Sequence, residues 1–380
     1  MHYSGQESSP ESDILWLNAV FLIVTPILAA VAAPYYISNW GVHWTEPVAL
    51  VVLWFATGMG ITAGYHRMFS HRSWWAPAPV RAVLLVLGAA SWQNSVLAWC
   101  ESHRLHHHHT DTDRDPHSIE EGFWWAHMLW ILVDGGEHDE FEKIPDLEDD
   151  PLCAWQHRHY FAISTGFNVA VPVGLGLMTG RIWGMLLWAG LIRVVVLHHL
   201  TFFINSLAHM WGTRPWAEEE TARDNAFLAV VTLGEGYHNF HHAFPGDYRN
   251  GLRWYQFDPT KWFIWTLSKL GLAGDLRRSP IDQRLRRRWQ RLRGKYESRM
   301  DEWSDSVRSQ VEAAEDRLEE ALEELRSRRS EWSRRADDVR DQAREELERA
   351  RIEAETQALE AFRSWRQLLQ QTPEMAQVSN

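Results

Sequence analysis

The chain has 380 residues and a formal net charge of −12 at neutral pH, with 45% hydrophobic residues. Because it is acidic and has no basic stripe with interleaved aromatic residues, it is not expected to bind nucleic acid. Its two cysteines, Cys100 and Cys153, form no CxxC motif and predict no disulfide framework, which fits a reducing compartment.

The composition changes sharply near residue 280. Residues 14–265 are rich in Trp, Leu, Val and His, whereas residues 282–370 are mostly Arg, Glu, Asp, Ala and Ser. We therefore predict two domains: a membrane domain over 1–275 and an amphipathic helical or coiled-coil extension over 282–370.

Four apolar segments are long enough to cross a bilayer, which takes about 20 helical residues. They are 14–37, 47–65, 161–178 and 182–204. A fifth run, 80–99, is interpreted as a helix that lies along the membrane face or dips in and returns. If it crossed, the histidines before and after it would lie on opposite faces. The stretch 123–133 is interpreted as interfacial.

The distribution of basic residues predicts the orientation of these spans. The loop 38–46 has no Lys or Arg, whereas the other side carries several arginines, among them Arg67, Arg72 and Arg104. The positive-inside rule then places both termini and all the histidine clusters in the cytoplasm. Arg193 lies within the fourth span, where an unpaired charge costs about 2.5–3.5 kcal/mol, so it is expected to face protein or reach an interface.

Histidine clusters are the main chemical signal of the sequence. Two of them share the spacing HxxHH, which places imidazoles on one face of a helix. A structural zinc site is closed by four ligands, so about nine histidines indicate two metal ions; imidazole suits iron and zinc alike. The clusters are His66 and His71; His103, His106 and His107; and His238, His241 and His242, with His209 nearby.

The remaining histidines have simpler interpretations. His108 and His109 are expected to be bystanders, since a run of four cannot all point at one centre. His198 and His199 are expected to be buried and hydrogen-bonded. Ligating histidines usually donate their second N–H to a carboxylate. Candidate acceptors are Asp111, Asp113, Asp115 and Glu235. The sequence is equally compatible with each of them being a solvent-exposed acid without a histidine partner.

Four motifs resemble those of the membrane fatty-acid desaturase family, in its stearoyl-CoA desaturase-like branch and of bacterial type. They are Gly60-Ile-Thr-Ala-Gly-Tyr-His-Arg, Asp115-Pro-His, Asn205-Ser-Leu-Ala-His209 and Gly234-Glu-Gly-Tyr-His-Asn-Phe-His-His. The resemblance extends from about Trp54 to Trp262. It implies an all-α integral membrane protein with four transmembrane helices, a cytoplasmic histidine-rich cap and two iron ions that activate O2.

The resemblance also implies roles for individual residues. The family's nine metal-binding histidines fall on His66, His71, His103, His106, His107, His209, His238, His241 and His242, and its asparagine that holds a metal-bound water falls on Asn205. Residues that bend the acyl chain fall on Gln93, Trp99 and Thr201. This match implies a cis double bond at C9–C10 of a C16–C18 chain. The tunnel is expected to end near Trp54 and Gly58.

The sequence departs from its acyl-CoA-using relatives at the expected head-group site. Asn94 is kept, but Glu101 and Asp134 replace basic residues, and carboxylates would repel the CoA phosphates. The acyl carrier therefore stays open between CoA, acyl-carrier protein and an intact lipid. Because the sequence shows no haem, flavin or ferredoxin motif, an electron donor is expected in trans: a ferredoxin, a cytochrome b5-like protein or a flavin reductase.

Two other functions are compatible with the sequence. A related di-iron hydroxylase of alkane or acyl chains would share the histidines, and a non-catalytic membrane scaffold would use the metal structurally. The extension has apolar residues at three- and four-residue steps, including Leu285, Trp289 and Tyr296. It is interpreted either as an element for oligomerisation or partner docking or as a solvated helical tail.

Overall fold

The computed structural model describes residues 14–133, 144–297, 300, 303–335 and 341–371. Asp134, His2 and His138 lie outside these residues. The described chain is α-helical apart from isolated β-bridges. It divides into two compact units. The first contains Met1–Arg214 and Glu219–Arg278, and the second contains Pro215–Glu218 and Ser279–Asn380.

Four helices of the first unit are long and apolar enough to cross a membrane, as the sequence predicted. Their outward surfaces are apolar as well: Trp16 and Leu17 are each 70% exposed, as expected for side chains that face lipid. We call these helices the first to fourth spans. They are Trp16–Trp40, Thr45–Ser70, Tyr160–Thr179 and Ile182–Met210.

The second span continues five residues beyond its predicted end. Its last part, Gly60–Ser70, is a π-helix, a geometry that is rare and often found at functional sites. Every residue of this part is buried, including His66 and Arg67. The apolar sequence pattern of the second span ends at the first polar residues. The helix itself continues, because its last part is surrounded by protein rather than by lipid.

The apolar run 80–99 is broken and does not form a span. One helix covers Ala78–Ala89 and another covers Val96–His109. Trp92 and Asn94 between them have φ of 58° and 79°, and Asn is among the few residues that tolerate this region. This break agrees with the predicted count of four crossings.

Glycines bring the second span against the helix Ala78–Ala89. A Cβ at Gly60 would lie 2.3 Å from the backbone nitrogen of Gly88, and a Cβ at Gly88 would lie 2.3 Å from the Tyr65 ring. The two helices thus touch through backbone, which holds the first histidine cluster close to the region that leads into the second.

Arg193 faces protein, as expected for a charge within the fourth span. It is fully buried, and its guanidinium donates to the carbonyl oxygen of Ala90 at 3.0 Å and to Thr57 Oγ1 at 3.3 Å. It also donates to Asn168. The side chain therefore joins the second, third and fourth spans and the end of the helix Ala78–Ala89.

Among its described residues, the second unit has three helices: Ile281–Glu297, Asp305–Arg335 and Asp341–Gln371. Their apolar stripes pack on each other within this chain. Arg329, a polar interruption of the stripe, lies 3.3 Å from the buried Asp282. The core is formed mainly by Leu285, Trp289, Tyr296, Trp303, Leu318, Leu322, Leu325, Phe362 and Trp365.

Candidate metal centre

Nine histidines from four parts of the chain come together in two neighbouring groups. Within each group, one nitrogen of every ring lies within 4.8 Å of the others. The rings of His107 and His242, one from each group, have centroids 4.4 Å apart. The first group is His66, His71, His103, His107 and His241, and the second is His106, His209, His238 and His242. These are the nine positions implied by the resemblance.

The imidazoles face each other through their Nε2 atoms. In the first group, the Nε2 atoms of His66 and His241 are 3.0 Å apart, and those of His71 and His103 are 2.8 Å apart. In the second group, His238 Nε2 lies 3.1 Å from both His209 Nε2 and His242 Nε2.

Several of the opposite ring nitrogens face carboxylates. His66 Nδ1 lies 2.8 Å from Glu235 Oε2, His106 Nδ1 lies 2.9 Å from Asp115 Oδ1, and His242 Nδ1 lies 2.9 Å from Glu220 Oε2. Such a partner keeps the proton on Nδ1 and leaves the lone pair on Nε2.

Burial, aided by the neighbouring imidazoles, lowers the pKa of most of these rings well below 6.5. This holds for His71, His103, His106, His107, His238, His241 and His242. These rings are therefore neutral at physiological pH, which is the form that binds metals.

The residues fit two metal ions. Neutral rings whose protons are held on Nδ1 direct several Nε2 lone pairs into one small space, where the lone pairs repel each other unless a cation lies between them. Five and four nitrogen ligands suit divalent transition metals, iron among them.

A buried ion-pair network holds His66 in place. Burial raises the pKa of Glu235, but His66 and Arg67 outweigh this and hold it below its usual value. Arg67 also lies 3.1 Å from Asp258 Oδ1 and donates to the Tyr248 carbonyl at 2.8 Å. Asn250 donates to the second oxygen of Glu235 at 2.6 Å. Both oxygens of Glu235 therefore accept hydrogen bonds, from Arg67 and from Asn250.

The second group has partners of its own, which the sequence pattern only partly revealed. His209 Nδ1 lies 2.7 Å from Thr221 Oγ1, and Thr221 donates to Asp111 Oδ1 at 2.6 Å. Asp111 thus acts through Thr221. Asp115 and Glu235 contact histidines directly, whereas Asp113 is exposed.

Glu220 was not predicted from the sequence. It follows Glu218 and Glu219 in an acidic run that has the composition of a solvated loop, and no spacing relates it to His242.

A groove leads from the histidines between the second and fourth spans. Residues of both spans line it at three- and four-residue spacing, which places each set on one helix face. From the second span come Trp54, Gly58, Ile61, Thr62 and His66, and from the fourth come Leu197, Leu200, Thr201, Ile204 and Asn205. Asn205 therefore lines the groove at its histidine end, and along the second span Trp54 lies about three turns and Gly58 about two turns from His66.

The residues assigned to the acyl-chain bend lie beside this groove. Gln93 Nε2 donates to Thr201 Oγ1 at 3.0 Å, and Trp99 stacks on His103 with ring centroids 5.0 Å apart. Asn94 does not line the groove. It is exposed, and its side-chain oxygen accepts from the Ser95 N–H at 2.9 Å; its head-group role stays a prediction.

The other histidines lie outside the two groups. His198 Nε2 donates to the Ser91 carbonyl at 2.9 Å, and His199 Nδ1 lies 3.1 Å from His127 Nε2. His108 is exposed and pairs with His109 through ring contact. The ring of His117, which follows Asp115-Pro, is tilted against that of His106, with ring centroids 4.2 Å apart.

Comparison with known proteins agrees with this architecture. The model of the family "Fatty acid desaturase" matches residues 43–273. Acyl-CoA desaturase 1 of Saccharomyces cerevisiae is 42% identical over 268 residues, which are 69% of this chain and 52% of that protein. The probable acyl-CoA desaturase of Schizosaccharomyces pombe is 40% identical over 271 residues, 70% of this chain and 56% of that one.

A cyanobacterial-type relative is matched almost completely. The sn-2 palmitoyl-lipid 9-desaturase of Nostoc sp. (strain 36) is 36% identical over 279 residues, which are 72% of this chain and 93% of that protein. By contrast, the alignment spans about half the length of the two relatives named before it. With its four apolar helices and its histidine clusters, the chain belongs to the fatty acid desaturase family as an all-α integral membrane protein.

Proposed function

We propose that this protein is an O2-dependent di-iron fatty-acyl desaturase that introduces a cis double bond at C9–C10 of a C16–C18 acyl chain. The observation that carries the proposal is the mainly apolar groove that ends at His66, His103, His106 and His238. A groove of this kind can hold an extended hydrocarbon chain with one methylene pair beside the histidine groups.

The ions would supply the oxidising power that removes hydrogen from an unactivated methylene pair. The first histidine group would hold one iron and the second the other. One O2 accepts two hydrogens from the acyl chain and two electrons and two protons from a donor, and it leaves as two molecules of water.

The chain's own residues would position the substrate and exclude water. Gln93 and Thr201 form a polar contact beside an apolar groove, which fixes the fourth span against the turn that follows Ala89. Trp99, stacked on His103, covers the centre with a flat apolar surface. Asn205 at the histidine end can hold a water molecule with its amide. A groove of this shape protects bystander side chains from the oxidant.

We propose acyl-CoA as the substrate, with an intact lipid as the alternative. Relatives of both kinds are similar to this chain: the two named from fungi are acyl-CoA desaturases, and the Nostoc protein is a lipid 9-desaturase. Glu101 is a half-buried carboxylate on the helix that carries the second cluster, so CoA phosphates would need other contacts.

We further propose that the histidine centre faces the cytoplasm and that a separate protein supplies the electrons, a ferredoxin, a cytochrome b5-like protein or a flavin reductase. The positive-inside distribution supports the orientation. An electron donor of this kind would reach the centre from the cytoplasm.

Product analysis in a host that makes no such double bond tests the proposal. The host expresses the chain together with a generic electron donor, and membrane fatty acids are analysed by mass spectrometry with the double bond located. We expect new monounsaturated C16 or C18 chains with the bond at C9. His241→Ala should remove them, while His43→Ala, which changes an exposed histidine outside both groups, should retain them.

Two results would contradict the proposal. Products that have gained one oxygen instead of losing two hydrogens would identify a hydroxylase. A purified protein that holds no iron and makes no product with a competent donor would favour the scaffold function.

A further inference from the structure

A short piece of the histidine-rich region is held by the C-terminal unit. Pro215–Glu218 lies between His209 and His238 in the sequence, yet it packs as part of the unit that contains Ser279–Asn380. Arg291 Nε lies 2.9 Å from Glu218 Oε1. The guanidinium of Arg288 lies over the Trp216 ring, 5.7 Å from its centroid.

The residues that follow this piece contact the second histidine group. Glu220 Oε2 lies 2.9 Å from His242 Nδ1, and Thr221 Oγ1 lies 2.7 Å from His209 Nδ1. In the first group, the carboxylate that contacts His66 comes from Glu235, outside this loop. Both of these loop contacts are made to histidines of the second group.

Chain continuity connects these contacts. Two peptide units separate Glu218 from Glu220, so their Cα atoms are at most about 7 Å apart. A displacement of Glu218 by a few ångströms must consequently shift Glu220 or strain the backbone between them. The contacts of Arg288 and Arg291 thus limit where Glu220 and Thr221 can lie.

We propose that the C-terminal helical unit positions the loop 215–221, so that Glu220 and Thr221 orient His242 and His209 and thereby strengthen metal binding at the second group. This inference rests on the proposed di-iron function. It assigns to the extension a role that neither oligomerisation nor a solvated tail supplies. Arg288 and Arg291 are then positioning residues, since they act on the metal through the loop.

Charge reversal is a sharper test than deletion, because one exposed ion pair contributes little when it is merely removed. Arg291→Glu and Glu218→Arg each place like charges together, and the double variant restores opposite charges in exchanged positions. Arg286→Glu is the matched control. Arg286 lies on the same helix as Arg291. Its partner Glu323, at 2.6 Å, lies on the helix Asp305–Arg335 and not in the loop 215–221.

The readout is metal retention by the full-length protein purified in detergent. Each variant is loaded with Fe(II) without O2 and challenged with a chelator, and the ions left per chain are followed by elemental analysis. We expect the unchanged protein to hold two ions. We expect one of the two to leave about three- to tenfold faster in Arg291→Glu and Glu218→Arg, below the 10–100-fold that loss of a direct partner causes.

Two further variants complete the design. Glu220→Gln should show the larger effect on the same ion, because it changes the contact with His242 itself. The double variant Arg291→Glu with Glu218→Arg should release metal at the original rate.

Defined outcomes overturn the inference. It is wrong if Arg291→Glu behaves like Arg286→Glu, if both ions leave faster together, or if the double variant releases metal as fast as the single variants. An unchanged protein that holds no metal would instead overturn the proposed function, and this inference with it.

Discussion

Asp113 and Asp115 are two positions apart in the sequence and occupy opposite environments. Asp115 is 7% exposed and contacts His106 Nδ1 with both of its oxygens, at 2.9 and 3.0 Å. It also accepts the backbone N–H groups of Asp111 and His117. Asp113 is exposed. Only one of two similar acids therefore influences an imidazole.

We expect Asp115→Asn to weaken metal binding at the second histidine group by about 10–100-fold, because a neutral amide no longer favours a proton on His106 Nδ1. Asp113→Asn should leave metal binding unchanged. The measurement is a metal titration of both purified variants. Equal affinities for the two would show that Asp115 serves only the turn that follows the second cluster.

Gly58 lines the groove, and we propose that it limits the chain length that the groove accepts. A Cβ at this position would lie 2.6 Å from Cδ1 of Leu233, a flexible side chain that can move for one methyl group but not for a ring. Gly58→Phe should therefore shorten the usable groove. Because one methylene distinguishes substrates about 10-fold or more, the ratio of C18 to C16 products should fall at least about tenfold.

Gly166→Phe is the control for this change, since its Cβ would meet nothing within 4 Å. Product chain lengths measured by gas chromatography decide the outcome. An unchanged ratio in Gly58→Phe would mean that the acyl chain does not extend to Gly58.

Which histidines come together could be predicted from the sequence, but the side chains that contact them only in part. His103, His106 and His107 lie on one helix, where the spacing itself determines which face they share. Glu220 contacts His242 across a loop, and loop conformation depends on tertiary packing that no local pattern encodes. Asn94 has a φ of 79° and lies in a turn, which the sequence pattern did not reveal, and its head-group role stays a prediction.

At the level of helices, close backbone contact is the feature most sensitive to mutation. Gly60→Ala places a Cβ 2.3 Å from the backbone of Gly88, and backbone atoms cannot rotate away as a side chain can. Overpacking of this kind costs about 1–3 kcal/mol. We expect the thermal midpoint of the purified protein to fall by about 3 °C or more.

Gly174→Ala offers a matched control in another span, because nothing lies within 4 Å of its Cβ. Alanine favours helix more than glycine does, so this variant should be neutral or slightly stabilising. A midpoint for Gly60→Ala as high as that of Gly174→Ala would show that the two helices separate without cost.

The length of a helix could be predicted where the helix faces lipid and its residues are apolar throughout. It could not be predicted where the helix continues into protein and includes polar residues. The first and third spans are apolar on all sides, and hydropathy predicted them to within a few residues. The second span runs on to Ser70 through buried polar residues, and the fourth runs on to Met210. In the described part of the extension, the apolar stripes of its helices pack on each other, and a stripe alone does not specify where a helix ends.

For the molecule as a whole, four crossings predict on which side of the membrane each loop lies. His43 and Thr179 lie at the ends of spans on one side, and Arg158 precedes the third span on the other; all three are exposed. Both native cysteines are fully buried, so an introduced cysteine should dominate labelling. We expect an impermeant maleimide to label His43→Cys and Thr179→Cys in intact cells, and Arg158→Cys only in inverted vesicles.

Either of two results would revise the topology. Labelling of Arg158→Cys from outside the cell would reverse the orientation and place the histidines outside. Different accessibility of the cysteines at 43 and 179 would show that the number of crossings between them is odd.

The helix His238–Ala243 contributes to both histidine groups: His241 to the first, and His238 and His242 to the second. On the proposed di-iron centre, neither ion can gain its full set of ligands until this late segment has left the ribosome. The earlier spans have by then entered the bilayer with their clusters still open. If the centre holds iron as proposed, loading would be completed only after insertion, and a cell short of iron would accumulate inserted but inactive chains that later iron supply could activate without new synthesis.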